Sequence, residues 1–315
     1  MKKIAVGIDI GGTNTAFGLV DAEGKVYVSD KISTKAFPDV DEYVSRLAGD
    51  IKNYLNALNF DYELQGIGIG APNANYFKGV IEDAPNLPWK GIVPLCGKLH
   101  AHFPRVTTLM TNDANAAAVG ELVYGAAKGM KNFIVITLGT GVGSGFVVDG
   151  KLMLGNNSVA GELGHVIVKQ DGRECGCGRK GCLETYASAT GIKRTVFKLL
   201  ADHMGPSEFR DVSFNQLSAE MITRATLNDD PLGVEAYEHT GKILGAALAN
   251  AVAITDPEAI FLFGGLAKAG KYIFEPTKYH MENSLMLNFR GKVKLLPSGI
   301  EDGNAAVLGA AALVW

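Results

Sequence analysis

Thr111-Asn112-Asp113-Ala114-Asn115 is the stretch on which the interpretation of the chain depends. An apolar run over 106–110 ends there, and an alanine-rich run over 114–127 begins. The change of pattern predicts a strand that leads into a helix, and open α/β sheets bind ligands at such carboxyl ends of strands. We expect Asp113 near the first turn of the helix, with Asn112 beside it, so that a carboxylate and an amide can grip a polar hydroxyl. The alternative is that either residue is only a helix N-cap.

Length and composition predict an ordinary soluble chain of two domains. The chain has 315 residues, of which 47% are apolar and 20% charged, enough for two hydrophobic cores. A net charge of -3, a pI of about 6.1 and the lack of a basic block do not favour nucleic acid as a partner. Asp9 interrupts the first apolar run, and no apolar run is long enough to span a bilayer. We therefore expect no membrane partner and a cytoplasmic location.

Periodicity along the chain predicts an α/β protein. Strand patterns cover 3–10, 15–21, 25–33, 66–70, 133–138, 146–148, 259–263 and 293–296, and helical patterns cover 38–58, 114–127, 231–253 and 303–315. The order of strand, glycine-rich turn and strand occurs near residue 10 and again near residue 140, which indicates two related α/β units. The Pro/Asn-rich stretch 71–91 has little periodicity, and loops of that length are usually functional.

Two glycine turns follow apolar strands, at Gly11-Gly12-Thr13-Asn14 and at Gly139-Thr140-Gly141. Glycine lets a ligand approach the backbone, and the N–H groups can bind phosphate oxygens together with the Thr hydroxyl. Hairpins use the same residue types, so a purely structural turn is the alternative. Asp9 is expected either to help hold Mg²⁺ through water or to cap its turn. No Gly-Lys pair precedes Ser or Thr, which excludes a Walker A loop, and the dinucleotide fingerprint fails at Ser144.

Cys175-Gly176-Cys177-Gly178-Arg179-Lys180-Gly181-Cys182 places three thiols in one loop, ten residues after His165. Three thiolates and an imidazole form a closed tetrahedral set for structural Zn²⁺, with the ligands His165, Cys175, Cys177 and Cys182. Unrelated cysteines in a tight loop are the alternative, and Cys96 stands alone as a small apolar residue. Glu162 and Glu184 flank the set. They are either solvated surface acids or carboxylates that a rigid loop holds in place, and the second ring nitrogen of His165 keeps a hydrogen-bonding role.

Six motifs follow one another across nearly the whole chain: Asp9-Ile10-Gly11-Gly12-Thr13, Thr111-Asn112-Asp113-Ala114-Asn115-Ala116, Leu138-Gly139-Thr140-Gly141-Val142-Gly143, Glu162-Leu163-Gly164-His165, the cysteine loop and Gly264-Gly265. In this order they resemble the ROK (repressor, open reading frame, kinase) family of sugar kinases, and most of all its bacterial glucokinases. The resemblance implies the two-lobed actin/hexokinase-like (ribonuclease H-like) α/β fold, with ATP and sugar in an inter-lobe cleft. We expect an N-terminal lobe of 1–113 plus 302–315 and a C-terminal lobe of 114–301 that carries the zinc loop.

The resemblance also implies roles for individual residues. Asp113 matches the catalytic base, and the sugar-binding positions are Asn86, Asn112, Asp113, Glu162, His165 and Glu184. The nucleotide-binding positions are Asp9, Gly11, Gly12, Thr13, Asn14, Thr140, Gly141, Gly264 and Gly265. His165 would bind zinc through one nitrogen and sugar through the other. Two positions depart from the family pattern, since the family often has Gly where this chain has Asn73 and Pro88.

The implied activity is an ATP-dependent hexose kinase that uses MgATP and structural Zn²⁺ and converts glucose to glucose 6-phosphate. Alternatives are a kinase for mannose, fructose or an N-acetylated amino sugar, and a non-catalytic sugar-responsive regulator. The family's DNA-binding repressors carry an added N-terminal helix-turn-helix, for which a first strand beginning at Lys3 leaves no room. Family members are commonly dimers or tetramers, so a homo-oligomer is expected.

Overall fold

The computed structural model describes residues 1–300 and 303–315. The strands are β1 Lys2–Ile10, β2 Asn14–Asp21, β3 Val26–Ser33, β4 Tyr62–Gly70, β5 Ala74–Asn75, β6 Val80–Glu82, β7 Ile92–Val93, β8 Thr107–Thr111, β9 Phe133–Leu138, β10 Val142–Val148, β11 Lys151–Leu152, β12 Ala259–Phe263 and β13 Lys294–Pro297. The helices are α1 Val40–Asn56, α2 Leu95–His102, α3 Asp113–Val123, α4 Glu184–Ala187, α5 Ala189–Asp202, α6 Ala219–Leu227, α7 Pro231–Thr255, α8 Lys271–Ser284 and α9 Ala305–Ala311. Short 3₁₀ turns lie at Thr34–Ala36, Leu163–His165, Gly265–Ala269 and Ala312–Val314.

The chain divides into two compact units. Unit 1 consists of Met1–Met130, Gly150–Gly161 and Gly299–Trp315, and unit 2 consists of Lys131–Asp149 and Glu162–Ser298. Compared with the expected division into 1–113 plus 302–315 and 114–301, unit 1 also contains Gly150–Gly161 and the segment that carries α3. Its Gly120 packs against α9, where a Cβ atom built on Gly120 would lie 2.9 Å from Gly309 Cα. The expected boundary between residues 301 and 302 lies outside the described residues.

Unit 1 contains a mixed sheet in the order β3-β2-β1-β4-β8. The strands β1, β2 and β3 are antiparallel, whereas β1, β4 and β8 are parallel. Alternate residues of β1 point to opposite faces, as the two-residue period of a strand requires. Ile4, Val6 and Ile8 join the core that α1 covers, while Ala5 packs with Val307 of α9 on the other face. Both faces of the central strand are therefore buried, as is typical of α/β sheets.

Helix α1 shows how local sequence fixes an element of this unit. Its N-cap is Asp39, whose Oδ1 accepts hydrogen bonds from the backbone N of Asp41 and Glu42 at 2.7 and 3.1 Å. Apolar residues at helical spacing bury one face of the helix against the sheet, namely Tyr43, Val44, Leu47, Ala48, Ile51 and Leu55. The expected helix over 38–58 is confirmed, shortened at both ends.

The long stretch 71–91 is not a structureless loop. Together with Ile92–Val93, it forms the small antiparallel sheet β5-β6-β7. Trp89 ties this stretch to the core, since its Nε1 donates to the Phe37 carbonyl at 3.0 Å and its ring lies 4.6 Å from that of Tyr43. Asn73 has a φ of 51°, in the left-handed region that Gly adopts freely and Asn tolerates. Asn73 can therefore hold a backbone conformation that usually requires Gly.

Unit 2 contains a second mixed sheet, in which β10, β9, β12 and β13 are neighbours in that order. The strands β9 and β10 are antiparallel, while β9, β12 and β13 are parallel. The expected strand 146–148 is too short, because β10 begins at Val142 and pairs with β9 from Val142↔Leu138 onward. Gly143 and Gly145 belong to this strand. They can do so because the hydrogen bonds between strands are made by backbone groups and need no side chain.

The α/β class and the order of elements are confirmed, with strands 133–138 and 259–263 predicted to the residue. The helices α2, α4, α5 and α6 were not predicted. Across residues 1–300 and 303–315, no helix combines the length and the apolarity that a membrane crossing needs.

Helix α9 lies directly on the backbone of β1 and β4, where both strands lack side chains. Gly7 and Gly68 are register partners in the two strands. A Cβ atom built on Gly7 would lie 2.0 Å from the Val307 carbonyl oxygen, and one built on Gly68 would lie 1.8 Å from that of Ala310. Any larger residue at either position must push the helix away from the sheet.

We expect Gly68→Ala to lower the free energy of unfolding by about 3 kcal/mol, at the upper end of overpacking costs. The measurement is urea unfolding followed by circular dichroism. The control is Gly49→Ala in α1, where a Cβ atom meets nothing within 4 Å. This change should raise stability by roughly 0.5–1 kcal/mol, because Ala is the better helix former. Equal stability of the Gly68→Ala variant and the wild type would show that α9 does not rest on this glycine.

Candidate active site

The amino terminus of α3 carries the two polar residues expected there. Asn112 is the N-cap, and its Oδ1 accepts a hydrogen bond from Asn115 N at 2.7 Å. The capping interpretation therefore holds for Asn112, although the amide nitrogen still carries two donors. Asp113 is exposed in the first turn, and its Oδ1 accepts from Ala114 N at 2.8 Å. The helix dipole favours a negative charge at this position.

Asp9 and Asp113 lie close together at the carboxyl edge of the unit 1 sheet. Neighbouring strands align Asp9 with Gly70 and Gly70 with Thr111. A Cβ atom built on Gly70 would lie 3.5 Å from Asp9 Oδ1 and 3.9 Å from Asp113 Cα. Burial, together with the nearby charge of Asp113, raises the pKa of Asp9 to about 6. This edge therefore holds a negative charge that a proton or a cation would relieve.

The first glycine turn connects β1 to β2 at the same edge. Gly11 N donates to the Asn14 carbonyl at 3.0 Å, which closes the turn. A Cβ atom built on Gly12 would lie 2.6 Å from the carbonyl oxygen of Asn86, so the turn packs against the long loop. Thr13 and Asn14 are exposed. Unit 1 thus brings together Asp9, the glycine turn, Asn86, Asn112 and Asp113.

The second glycine turn connects β9 to β10 in unit 2. Gly139 N donates to the Gly141 carbonyl at 3.0 Å, and Thr140 between them is exposed. The turn after β12 lies beside it. Gly264 has a φ of 102°, and a Cβ atom built on it would lie 2.7 Å from the Leu138 carbonyl oxygen. A Cβ atom on Gly265 would meet nothing within 4 Å, so this backbone is open to a ligand.

Four metal-ligating side chains meet in unit 2. The ligand atoms of His165, Cys175, Cys177 and Cys182 all lie within 4.8 Å of one another. Cys175 Sγ is 3.7 Å from His165 Nδ1, and the Sγ atoms of Cys177 and Cys182 are 3.6 Å apart. Tetrahedral Zn²⁺ with Zn–S bonds of about 2.3 Å places its ligand atoms about 3.6–3.8 Å apart. The donor set and its spacing therefore fit zinc.

Arg179, inside the cysteine loop, is a neighbour of this cluster that the sequence analysis did not single out. Its Nη2 donates to the His165 carbonyl at 2.9 Å. Its hydrogen bond to Cys177 lowers the pKa of that thiol, whereas burial raises the pKa of Cys182. With Zn²⁺ bound, three thiolates would leave one net negative charge, which the guanidinium of Arg179 would stabilise. The position of Arg179 between two ligand cysteines was the available signal.

Arg173 is a second residue that the sequence analysis missed. Its guanidinium donates to the carbonyls of Thr185 and Gly191 at 2.8 and 2.9 Å, and it lies 4.6 Å from the centre of the Tyr186 ring. These contacts fix the cysteine loop against α4 and α5. No local sequence pattern around Arg173 predicts these contacts, because its partners come more than ten residues later in the chain.

The two flanking carboxylates occupy different positions. Glu162 is exposed and directly precedes the 3₁₀ turn that ends at His165. Glu184 is half-buried at the start of α4, and its Oε2 accepts a hydrogen bond from Val142 N at 3.1 Å. Unit 2 thus brings together the cysteine cluster, Glu184 and the second glycine turn.

Comparison with known proteins gives a consistent result. Residues 5–315 match a family model described as the ROK family. Glucokinase of Halalkalibacterium halodurans is 35% identical over 88% of this chain and 84% of its own. Glucokinase of Thermotoga maritima is 30% identical over 98% of this chain and 96% of its own. A crystal structure of a ROK family glucokinase from Streptomyces griseus in complex with glucose and AMPPNP has a TM-score of 0.79 and 31% identity, with 98% of each chain covered.

The raised pKa of Asp9 predicts a specific dependence of stability on pH. The folded chain binds more protons than the unfolded chain between pH 3.8 and about 6, so its free energy of unfolding falls as the pH rises through this window. Without added Mg²⁺ or ligand, Asp9→Asn should be more stable than the wild type at pH 8, by about 2–3 kcal/mol. The difference should nearly vanish at pH 4. Urea unfolding of both proteins across this range is the measurement.

Asp113→Asn serves as the control, because it removes the neighbouring charge and leaves the burial of Asp9 intact. The pH step should persist in this variant but move to lower pH. A stability difference between Asp9→Asn and the wild type that is the same at pH 4 and pH 8 would contradict the assignment.

Proposed function

Because the chain belongs to the ROK family, we propose that it is an ATP-dependent hexose kinase that transfers the γ-phosphoryl group of ATP to the C6 hydroxyl of glucose. The observation that carries this proposal is an exposed carboxylate, Asp113, in the first turn of α3, beside a second carboxylate, Asp9. The glucokinase names of two relatives and the glucose and AMPPNP complex of a third support ATP and glucose as the substrates.

Asp113 is the proposed general base, which accepts the proton of the attacking hydroxyl. A carboxylate can take this role because phosphoryl transfer has a loose transition state, which needs positioning and charge neutralisation more than strong proton abstraction.

The proposed sugar contacts are polar side chains that can pair with hydroxyl groups. Carboxylates accept hydrogen bonds from hydroxyls, whereas the amide of Asn both donates and accepts. The positions that the family resemblance implies for these contacts are Asn86, Asn112, Asp113, Glu162, His165 and Glu184. His165 has Nδ1 directed at Cys175, which supports a role for Nε2 as the sugar partner.

The proposed nucleotide contacts are mainly backbone groups. The turn residues Gly11, Gly12, Thr13 and Asn14, together with Thr140 and Gly141, would bind phosphate oxygens through N–H and hydroxyl groups. The open backbone at Gly264 and Gly265 would take the adenosine. Asp9 would hold Mg²⁺, which neutralises phosphate charge when it is bound. The raised pKa of Asp9 supports a site that gains from a cation.

The cysteine cluster is the proposed site of a structural Zn²⁺, held by His165, Cys175, Cys177 and Cys182. Four protein ligands leave no open coordination position, so the ion would stabilise the loop and take no part in the chemistry. The homo-oligomer that the family resemblance implies stays a prediction, which light scattering of the purified protein would measure.

Two alternatives remain within the same family. Relatives include a xylose repressor and a kinase for N-acetylgalactosamine. Selectivity among hexoses depends on the groups that surround the C2, C3 and C4 positions, so mannose, fructose and N-acetylated amino sugars are the competing substrates. A sugar-responsive regulator without activity would have no need of a catalytic carboxylate at position 113.

The test is ADP release with MgATP in a coupled assay, measured against glucose, mannose, fructose and N-acetylglucosamine. We expect glucose to give the highest kcat/KM. A higher value for another hexose would overturn the choice of sugar. The absence of ADP release with every sugar would favour the regulator.

Asp113→Asn is the matched variant for this assay. It keeps the shape of the side chain and removes the base, so kcat with glucose should fall by on the order of hundreds-fold or more. Glucose affinity and zinc content should be kept. Near wild-type turnover would contradict the role of Asp113.

Cys177→Ala tests the zinc proposal. Because metal binding contributes to folding, the variant should lose zinc, melt at a temperature lower by several degrees and show a raised KM for glucose. Metal analysis, thermal melting and kinetics measure these three effects. The control is Cys96→Ala, a half-buried thiol outside the cluster, which should keep stoichiometric zinc. An unchanged melting temperature and KM in Cys177→Ala would count against a structural metal.

A further inference from the structure

The carboxylate of Glu184 touches two parts of unit 2 at once. Its Oε2 accepts the hydrogen bond from Val142 N, immediately after the second glycine turn. Its Oε1 lies 3.7 Å from Cys175 Sγ, a ligand atom of the cysteine cluster. One side chain thus connects the cluster to the turn.

Gly141 leaves the space that this carboxylate occupies. A Cβ atom built on Gly141 would lie 2.3 Å from Glu184 Oε2 and 3.3 Å from its Cδ, and apart from the adjacent residues 140 and 142 no other described residue has an atom within 4 Å of it. A side chain at position 141 would therefore displace the carboxylate and break its bond to Val142. The glycine is needed for a contact inside the protein, in addition to any ligand that approaches the turn.

Two further contacts hold the same turn from segments near the cluster. Ala189 N, at the start of α5, donates to the Gly139 carbonyl at 2.8 Å. Gly164, next to His165, packs so closely on the turn that a Cβ atom there would lie 2.0 Å from the Val142 carbonyl oxygen. Ala189 and Gly164 contact the turn through their backbone, whereas Glu184 contacts it through its side chain.

We propose that Glu184 is a positioning residue for the nucleotide, in addition to its proposed contact with the sugar. By accepting the Val142 N–H bond, the carboxylate fixes the turn so that the backbone and hydroxyl of Thr140 are presented to a phosphate group. A charged acceptor makes this bond stronger than a neutral one. The inference rests on the proposed function, because it assumes that the turn binds ATP.

The test measures the affinity of a non-hydrolysable ATP analogue with Mg²⁺ in the absence of sugar, by calorimetry. Glu184→Ala should weaken the affinity roughly ten-fold, as expected for the loss of a hydrogen bond to a charged group. Glu184→Gln keeps an oxygen that can accept from Val142 N and should stay within about three-fold of the wild type. If loss of the negative charge alone weakened nucleotide binding, both variants would weaken it alike.

Gly141→Ala is an independent way to break the same contact. Alone, it should weaken nucleotide affinity about as much as Glu184→Ala does. In the Glu184→Ala background it should add little, because the clash is gone, so the effects of the two changes should not add. Melting temperature and zinc content of every variant report whether the fold is kept.

The outcomes separate this inference from the proposed function. ADP release by the wild type with any hexose supports the kinase, whatever the variants do. Unchanged or tighter nucleotide binding in Glu184→Ala would overturn the positioning role, since it would mean that the carboxylate is idle or repels the phosphate. Equal weakening in Glu184→Ala and Glu184→Gln, or additive effects with Gly141→Ala, would overturn it as well.

Discussion

Two carboxylates held side by side over a glycine are the constraint on which unit 1 depends. Asp9 lies one residue before the end of β1 and Asp113 begins α3, while Gly70 on the strand between them adds no side chain. This arrangement keeps Asp9 desolvated beside a like charge, at a cost in stability that shows as its pKa of about 6. The parallel pairing of β1, β4 and β8 fixes the backbone at this edge. We propose that this edge binds a cation and a hydroxyl group.

In unit 2, contacts from other elements likewise fix a segment that is proposed to bind a ligand. Two of the three residues of its turn are glycines, and contacts from distant segments fix the turn. The carboxylate of Glu184 lies between Val142 N and the cysteine cluster, and the cluster holds the loop from which Glu184 emerges. A structural metal there would restrict the movement of this carboxylate. Rigidity near the nucleotide would then come from zinc, and selectivity from the sugar contacts.

Much of the fold could be predicted from the sequence, because period and turn residues are local signals. Strand 133–138 and the junction at Asp113 are of this kind. The beginning of β10 could not be predicted, since Gly143 and Gly145 resemble a turn until they are paired with β9. The membership of α3 in unit 1 depends on contacts with α9, far along the chain. The Val142 bond of Glu184 spans 42 residues, and no spacing rule reaches that distance.

The proposed phosphoryl transfer requires that Asp113 contacts the alcohol that receives the phosphoryl group. The most direct measurement is a crystal structure with glucose and a non-hydrolysable ATP analogue, in which the distance from the Asp113 carboxylate to the C6 oxygen is read directly. We predict that the Asp113 carboxylate lies at hydrogen-bond distance from the C6 oxygen, about 2.6–3.2 Å. A bound sugar whose C6 oxygen lies out of reach of Asp113, with the carboxylate turned away, would contradict it.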